Sequence, residues 1–123
     1  MERYNKLVRD NIPTLLIRKK VRHKTRIASK GEFREMLDRK FREEAEKFLK
    51  SQNLEELADI TEVILAIAEE DSVSKDEFQK VTTYLRKLCL SIGHTQEELE
   101  VCRQEKLREL GGFLRNIILV YTE

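Results

Sequence analysis

The stretch FREEAEKFLKSQNLEELADITEVILAIAEE, residues 41–70, combines apolar residues at helical spacing with an unusual number of carboxylates. Apolar residues recur every three or four positions on both sides of the link SQN, residues 51–53, as they do in amphipathic helices. The pattern predicts one helix over about 30–50 and a second over about 54–70. Because the link is so short, we expect the two helices to be antiparallel neighbours.

Residues that cap helix N-termini with their side chains mark the starts of four predicted helices. The capping residues are Ser29, Asn53, Ser74 and Thr95. Ser29, Ser74 and Thr95 are each followed three residues later by glutamate, which makes the Ser/Thr-x-x-Glu pattern of a capping box. Besides the two helices above, this signal predicts helices over about 75–91 and 96–110.

Shorter elements are predicted on either side of these helices. Pro13 suits the first position of a short helix, because a missing N–H is no loss there. TRIA, residues 25–28, and FLRNIILVY, residues 113–121, predict short strands. The predicted fold class is therefore mainly all-α: an antiparallel helix bundle in one domain, 1–123, with short strands in the N-terminal half and at the C-terminus.

The helix predicted at 54–70 is apolar around more than half of its circumference. Its large apolar residues include Leu57, Ile60, Val63, Ile64 and Ile67. A helix so broadly apolar has to pack against more than one neighbour. We therefore expect a second copy of the chain to complete the bundle, as a homodimer or homotetramer.

Carboxylates border the apolar faces of these two helices. In the first helix, Leu37, Phe41, Ala45 and Phe48 define an apolar stripe. At about 100° per residue, Glu44 lies about 50° from the centre of that stripe and Glu43 lies further toward solvent. In the second helix, Glu56 and Asp59 lie on either side of apolar surface. A carboxylate beside the core is costly unless something compensates its charge.

Two interpretations account for the four acids Glu43, Glu44, Glu56 and Asp59. Facing one another across antiparallel helices, they would bind Mg²⁺, or Mn²⁺ in its place, because hard divalent ions prefer carboxylate oxygens. Alternatively, they form ordinary helix-surface ion pairs, such as Glu43 with Lys47. Their joint position at apolar borders favours the metal site.

Composition excludes several other classes of protein. Charged residues make up 38% of the chain, but the net charge is only +1, so no overall field attracts nucleic acid or an anionic membrane. No apolar run is long enough to span a membrane, and the N-terminus lacks the hydrophobic stretch of a signal peptide. Cys89 and Cys102 form no C-x-x-C pattern and are expected to be reduced thiols of a cytoplasmic protein.

Three separated blocks of the sequence resemble one family. KFREEAEKF at 40–48 with LEELADITEVI at 54–64 resembles the E-E-x-x-E … E-x-x-D signature of the MazG-like, all-α nucleoside triphosphate pyrophosphohydrolases. YNKLVRDNIP at 4–13 and EKLRELGGFLRNIIL at 105–119 resemble the opening and closing blocks of its phosphoribosyl-ATP pyrophosphohydrolase-like branch. The resemblance implies Mg²⁺-dependent hydrolysis of a nucleoside triphosphate to monophosphate and pyrophosphate, of the nucleotide house-cleaning type.

The resemblance also implies roles for individual residues. Glu43, Glu44, Glu56 and Asp59 match the family's metal ligands, and Glu43 and Glu44 are its implied catalytic residues. The implied substrate-binding residues, which lie in the opening and closing blocks, are Lys6, Arg9, Asp10 and Lys106. Basic side chains would contact phosphates in place of a glycine-rich loop, since the chain has no such loop.

The sequence departs from the family pattern in three places. Lys47 replaces the third glutamate of E-E-x-x-E, Leu110 replaces the arginine before Gly-Gly-Phe, and an additional helix is predicted at about 72–92. An ammonium group in place of a carboxylate opposes the binding of a cation. The departures therefore leave a second interpretation open: a catalytically impaired relative acting as a nucleotide-binding or helical interaction module.

Overall fold

The computed structural model describes all residues from 1 to 123, and most of them are helical. In chain order the elements are β1 (Glu2–Leu7), α1 (Ile12–Arg18), β2 (His23–Ile27), α2 (Lys30–Ser51), α3 (Leu54–Glu70), α4 (Lys75–Ser91), α5 (Gln96–Leu110) and β3 (Ile117–Thr122). The mainly helical fold class is confirmed, and the helix predicted as additional is α4. None of the five helices has both the length and the apolar character needed to cross a membrane.

The predicted capping residues begin the four long helices. Each of the four side chains accepts a hydrogen bond from the backbone N–H three residues later. Only Thr95 forms the complete reciprocal capping box, with Glu98. At α2 the Glu32 carboxylate instead accepts two hydrogen bonds from Arg26, at 2.7 and 2.6 Å. The starts of these helices could thus be predicted from local chemistry, although the hydrogen-bond partner of each glutamate carboxylate could not.

The three strands form one antiparallel sheet in the order β1-β3-β2. β2 and β3 correspond to the two predicted strands, but β1 was not predicted. Asn5 in β1 adopts a left-handed conformation (φ 48°), and the pairing with β3 shifts register between Arg3 and Lys6. This irregularity interrupts the alternation of apolar and polar residues, so the strand has no clear sequence signal.

The buried face of α2 is rotated relative to the predicted stripe. Its buried residues are Phe33, Met36, Leu37, Glu44 and Phe48. Phe41, predicted in the core, is 37% exposed. Because Phe33 and Met36 also turn inward, Glu44 lies at the centre of the buried face and Phe41 lies about 60° from it. The Glu44 carboxylate is therefore deeper in the protein than the sequence indicated.

Helix α3 packs against three helices of its own chain: α2, α5 and α4. Toward the sheet, Val63 joins a core cluster with residues of α2, β1 and β3. Toward the opposite end, Leu57, Ala58 and Ile60 join a second cluster with Leu85 of α4 and residues of α2 and α5. Leu57, Ile60 and Val63 are thus buried within one chain, whereas Ile64 and Ile67 are only partly buried. Assembly of several copies stays a prediction.

Candidate functional site

Three of the four predicted carboxylates converge between α2 and α3. Glu44, Glu56 and Asp59 each present an oxygen, and these oxygens lie within 4.8 Å of one another. The spacing of three residues places Glu56 and Asp59 on one face of α3. Glu44 reaches them from α2 and is only 4% exposed. We refer to these three residues as the carboxylate cluster.

Glu43, the fourth predicted metal ligand, lies outside the carboxylate cluster. Its carboxylate pairs with three lysines, at 3.4 Å from Lys6, 3.3 Å from Lys47 and 3.9 Å from Lys40. Burial opposes ionisation of Glu43, but the three positive charges outweigh it and lower its pKa. The neighbouring residues Glu43 and Glu44 therefore have different surroundings, because one residue turns the side chain about 100° around the helix.

Basic side chains surround the carboxylate cluster. Lys47 Nζ lies 3.3 Å from Glu44 Oε1, and Lys40 Nζ lies 3.6 Å from the same oxygen. The ammonium of Lys47 is thus directed at the acids and not away from them. Lys40 was not singled out in the sequence, although its position four residues before Glu44 was an available signal.

Asp59 is held by two basic side chains from distant parts of the chain. Arg9 Nη2 lies 2.9 Å from Asp59 Oδ1, and Lys106 Nζ lies 3.1 Å from both carboxylate oxygens. These contacts connect the opening and closing sequence blocks to α3. Arg9 is itself buried, and its other terminal nitrogen donates a hydrogen bond to the carbonyl of Gly111 at 3.0 Å.

Glu56 is the member of the carboxylate cluster without a basic partner. No ion pair involves it, and its Oε2 atom is buried without any hydrogen bond. Burial, followed by the negative charge and proximity of Glu44, raises the pKa of Glu56. A buried, unpaired carboxylate oxygen is costly. A proton or a cation at Glu56 would therefore stabilise the carboxylate cluster.

Asp10, predicted to bind substrate, is hydrogen-bonded within the chain. Its buried carboxylate accepts backbone hydrogen bonds from Leu114 at 3.0 Å and Arg115 at 2.9 Å. It thereby fixes the turn between α5 and β3. Of the four predicted substrate-binding residues, Arg9 and Lys106 contact the carboxylate cluster and Lys6 contacts the adjacent Glu43. Asp10 instead accepts hydrogen bonds from the backbone.

A cavity of about 310 Å³ opens beside the carboxylate cluster. Glu44 and Asp59 form part of its wall, together with Lys6, Arg9 and Lys40. A second cavity, of about 410 Å³, is lined by Glu62, which pairs with Arg103, and it includes no residue of the cluster. The smaller cavity is therefore the one associated with the converging charges.

Comparison of the chain with models of protein families, with curated proteins and with solved structures finds no match. The fold and the site define a mainly helical protein with converging carboxylates and basic side chains between α2 and α3. The resemblance carried by the sequence blocks, and the activity it implies, stay predictions.

Proposed function

We propose that this protein catalyses Mg²⁺-dependent hydrolysis of a nucleoside triphosphate, or a related nucleotide, to the monophosphate and pyrophosphate. The observation that carries the proposal is the convergence of Glu44, Glu56 and Asp59, with Glu56 Oε2 buried and unpaired. The three sequence blocks that resemble pyrophosphohydrolases supply contacts at or beside this one location. A metal–phosphate complex needs carboxylates that hold the metal and basic side chains that contact the phosphates. Both kinds of side chain lie beside this cavity.

The residues of the carboxylate cluster fit a divalent cation. Glu44, Glu56 and Asp59 would hold Mg²⁺, or Mn²⁺, through oxygen atoms, which are the preferred ligands of both ions. A bound cation would give a partner to the Oε2 atom of Glu56, which is buried and forms no hydrogen bond. When bound, the ion would neutralise phosphate charge and polarise the phosphoryl group.

The side chains around the cluster have separate roles in this proposal. Lys6 and Lys40, which line the cavity, bind phosphate oxygens and neutralise their charge. Arg9 and Lys106 hold Asp59 in position. Glu43 remains partly exposed next to the cluster, so we assign to it the orientation of the attacking water.

Release of pyrophosphate from a panel of nucleoside triphosphates with Mg²⁺ tests this function. We expect Glu56→Gln to lower kcat/KM by about 100-fold or more, since loss of groups that support a metal site already costs 10–100-fold. Glu55→Gln is a matched control, because Glu55 is the neighbouring residue but is exposed and outside the cluster. Equal activity of the two variants, or no turnover by the native chain, would contradict the proposal.

One observation favours a second function, that of a catalytically impaired nucleotide-binding or helical interaction module. The ammonium of Lys47 lies 3.3 Å from both Glu43 and Glu44, where it opposes a divalent ion. Exposed Tyr84 and Leu90 on α4 would provide the interaction surface. Comparing the native chain with Lys47→Glu separates the two functions: turnover by the substituted protein alone would identify the native chain as the impaired module.

A further inference from the structure

The cavity beside the carboxylate cluster has an apolar part that the reaction at the cluster does not use. This part is formed by Ile12 and Leu16 of helix α1, by Leu119 of β3, and by Val8, which directly follows β1. The aromatic ring of Tyr4 and the side chain of Thr122 complete it. At about 310 Å³, the cavity is at the lower end of the range for small-molecule sites.

The charged and apolar walls belong to one continuous space. Lys6 connects them, since its ammonium lies 5.5 Å from the centroid of the Tyr4 ring and 3.4 Å from Glu43. A ligand that fills the cavity therefore needs an anionic group at one end and an apolar body at the other. Inorganic polyphosphate satisfies only the charged walls.

We propose that the apolar part of this cavity binds the aromatic base of the nucleotide, which stacks on Tyr4 while its phosphates extend toward Lys6, Lys40 and the carboxylate cluster. This inference rests on the proposed function and assigns the part of the cavity that contacts the base of the substrate. Every base has a π-face that an aromatic side chain can contact, and few polar groups are needed to orient it. Selection of the base is thus assigned to β1, α1 and β3, outside the helices that carry the acids.

Calorimetric titration of the full chain in Mg²⁺ tests this assignment with α,β-methylene analogues of ATP and UTP, and with inorganic triphosphate, which has no base. The native chain should bind at least one analogue about tenfold or more tighter than inorganic triphosphate, as expected for one stacked base. Leu16→Trp, which fills the cavity, should remove that preference. Ile17→Trp on the same helix should keep it, because Ile17 is 67% exposed.

Tyr4 provides a second test that does not depend on tolerance of a larger side chain. Tyr4→Phe should retain the preference for the nucleotide, whereas Tyr4→Leu should lose about tenfold in affinity for the analogue and none for inorganic triphosphate. Equal binding of inorganic triphosphate and both analogues by the native chain would overturn the inference. Unchanged analogue affinity in Tyr4→Leu would overturn it as well.

The two proposals fail in different measurements. Pyrophosphate release without a preference for the base-bearing analogue leaves the hydrolase standing and removes the base site. Base-dependent binding without pyrophosphate release removes the hydrolase and supports the base site. Mn²⁺ affinity measured without nucleotide should be the same in Leu16→Trp and the native chain, which verifies that the carboxylate cluster is intact.

Discussion

Replacement of Lys47 by methionine should strengthen the binding of divalent ions to the carboxylate cluster. The Lys47 ammonium lies 3.3 Å from Glu44 Oε1 and 3.3 Å from Glu43 Oε1. A divalent ion at Glu44 has to displace this ammonium or share the carboxylate with it. Methionine removes the charge and keeps an unbranched side chain with good helix propensity.

The size of the effect follows from the distance and the exposure of Lys47. Two unit charges 3.3 Å apart interact with about 5 kcal/mol at an effective dielectric of 20, and with about 1.3 kcal/mol in water. The Lys47 side chain is 48% exposed, so solvent screening brings the interaction toward the lower value. We therefore expect the Kd for Mn²⁺ to fall by roughly tenfold.

Titration calorimetry of metal-free protein with Mn²⁺ measures this change. Lys50→Met is the matched control, because Lys50 lies one turn further along α2, is exposed and forms no ion pair. The control should bind Mn²⁺ like the native chain. Equal affinities of Lys47→Met and Lys50→Met would refute the reasoning that the ammonium competes with a metal at Glu44.

The remaining predictions concern stability and are measured by urea and thermal unfolding. Asp10→Ala should lower the free energy of unfolding by about 2–4 kcal/mol, because the backbone N–H groups of Leu114 and Arg115 lose the charged acceptor that the buried Asp10 carboxylate provides. Gly111→Ala should cost about 1–3 kcal/mol, since Gly111 has φ +78° and an added Cβ would lie 3.1 Å from Asp10. In metal-free buffer Glu56→Gln should stabilise the protein at pH 7–8. The raised pKa of Glu56 means that ionisation in the folded state costs stability above that pKa, so the difference should disappear as pH falls below about 4.3, the ordinary glutamate value.

For each of these three variants, one result of the unfolding measurements would contradict the prediction. An Asp10→Ala protein as stable as the native chain would mean that the turn after α5 does not depend on the carboxylate. Gly111→Ala without loss would show that the turn relaxes around the new methyl group. A stability difference for Glu56→Gln that grows toward acidic pH would contradict the assigned direction of the Glu56 pKa.

Several features of the site depended on how far residues turn around a helix. Periodicity indicated that Glu44 borders the core. Because Phe33 and Met36 also pack inward, the buried face of α2 is centred on Glu44, which is only 4% exposed. The same packing left Phe41 partly in solvent and Glu43 outside the carboxylate cluster. A difference of about 60° is within the breadth of an apolar stripe, so a sequence pattern alone does not resolve it.

The sequence by itself determined the four long helices, because their caps and apolar spacing are properties of a few neighbouring residues. It also indicated that acids on α2 and α3 face a common region, although Glu43, which was predicted among them, lies outside the carboxylate cluster. Tertiary structure alone decided that Arg9 and Lys106 bind Asp59 and that Asp10 accepts backbone hydrogen bonds in the turn before β3. It also decided that Glu56 has no basic partner. These contacts join residues about 50 to 100 positions apart, and which partner neutralises a buried charge is settled only when the chain brings them together.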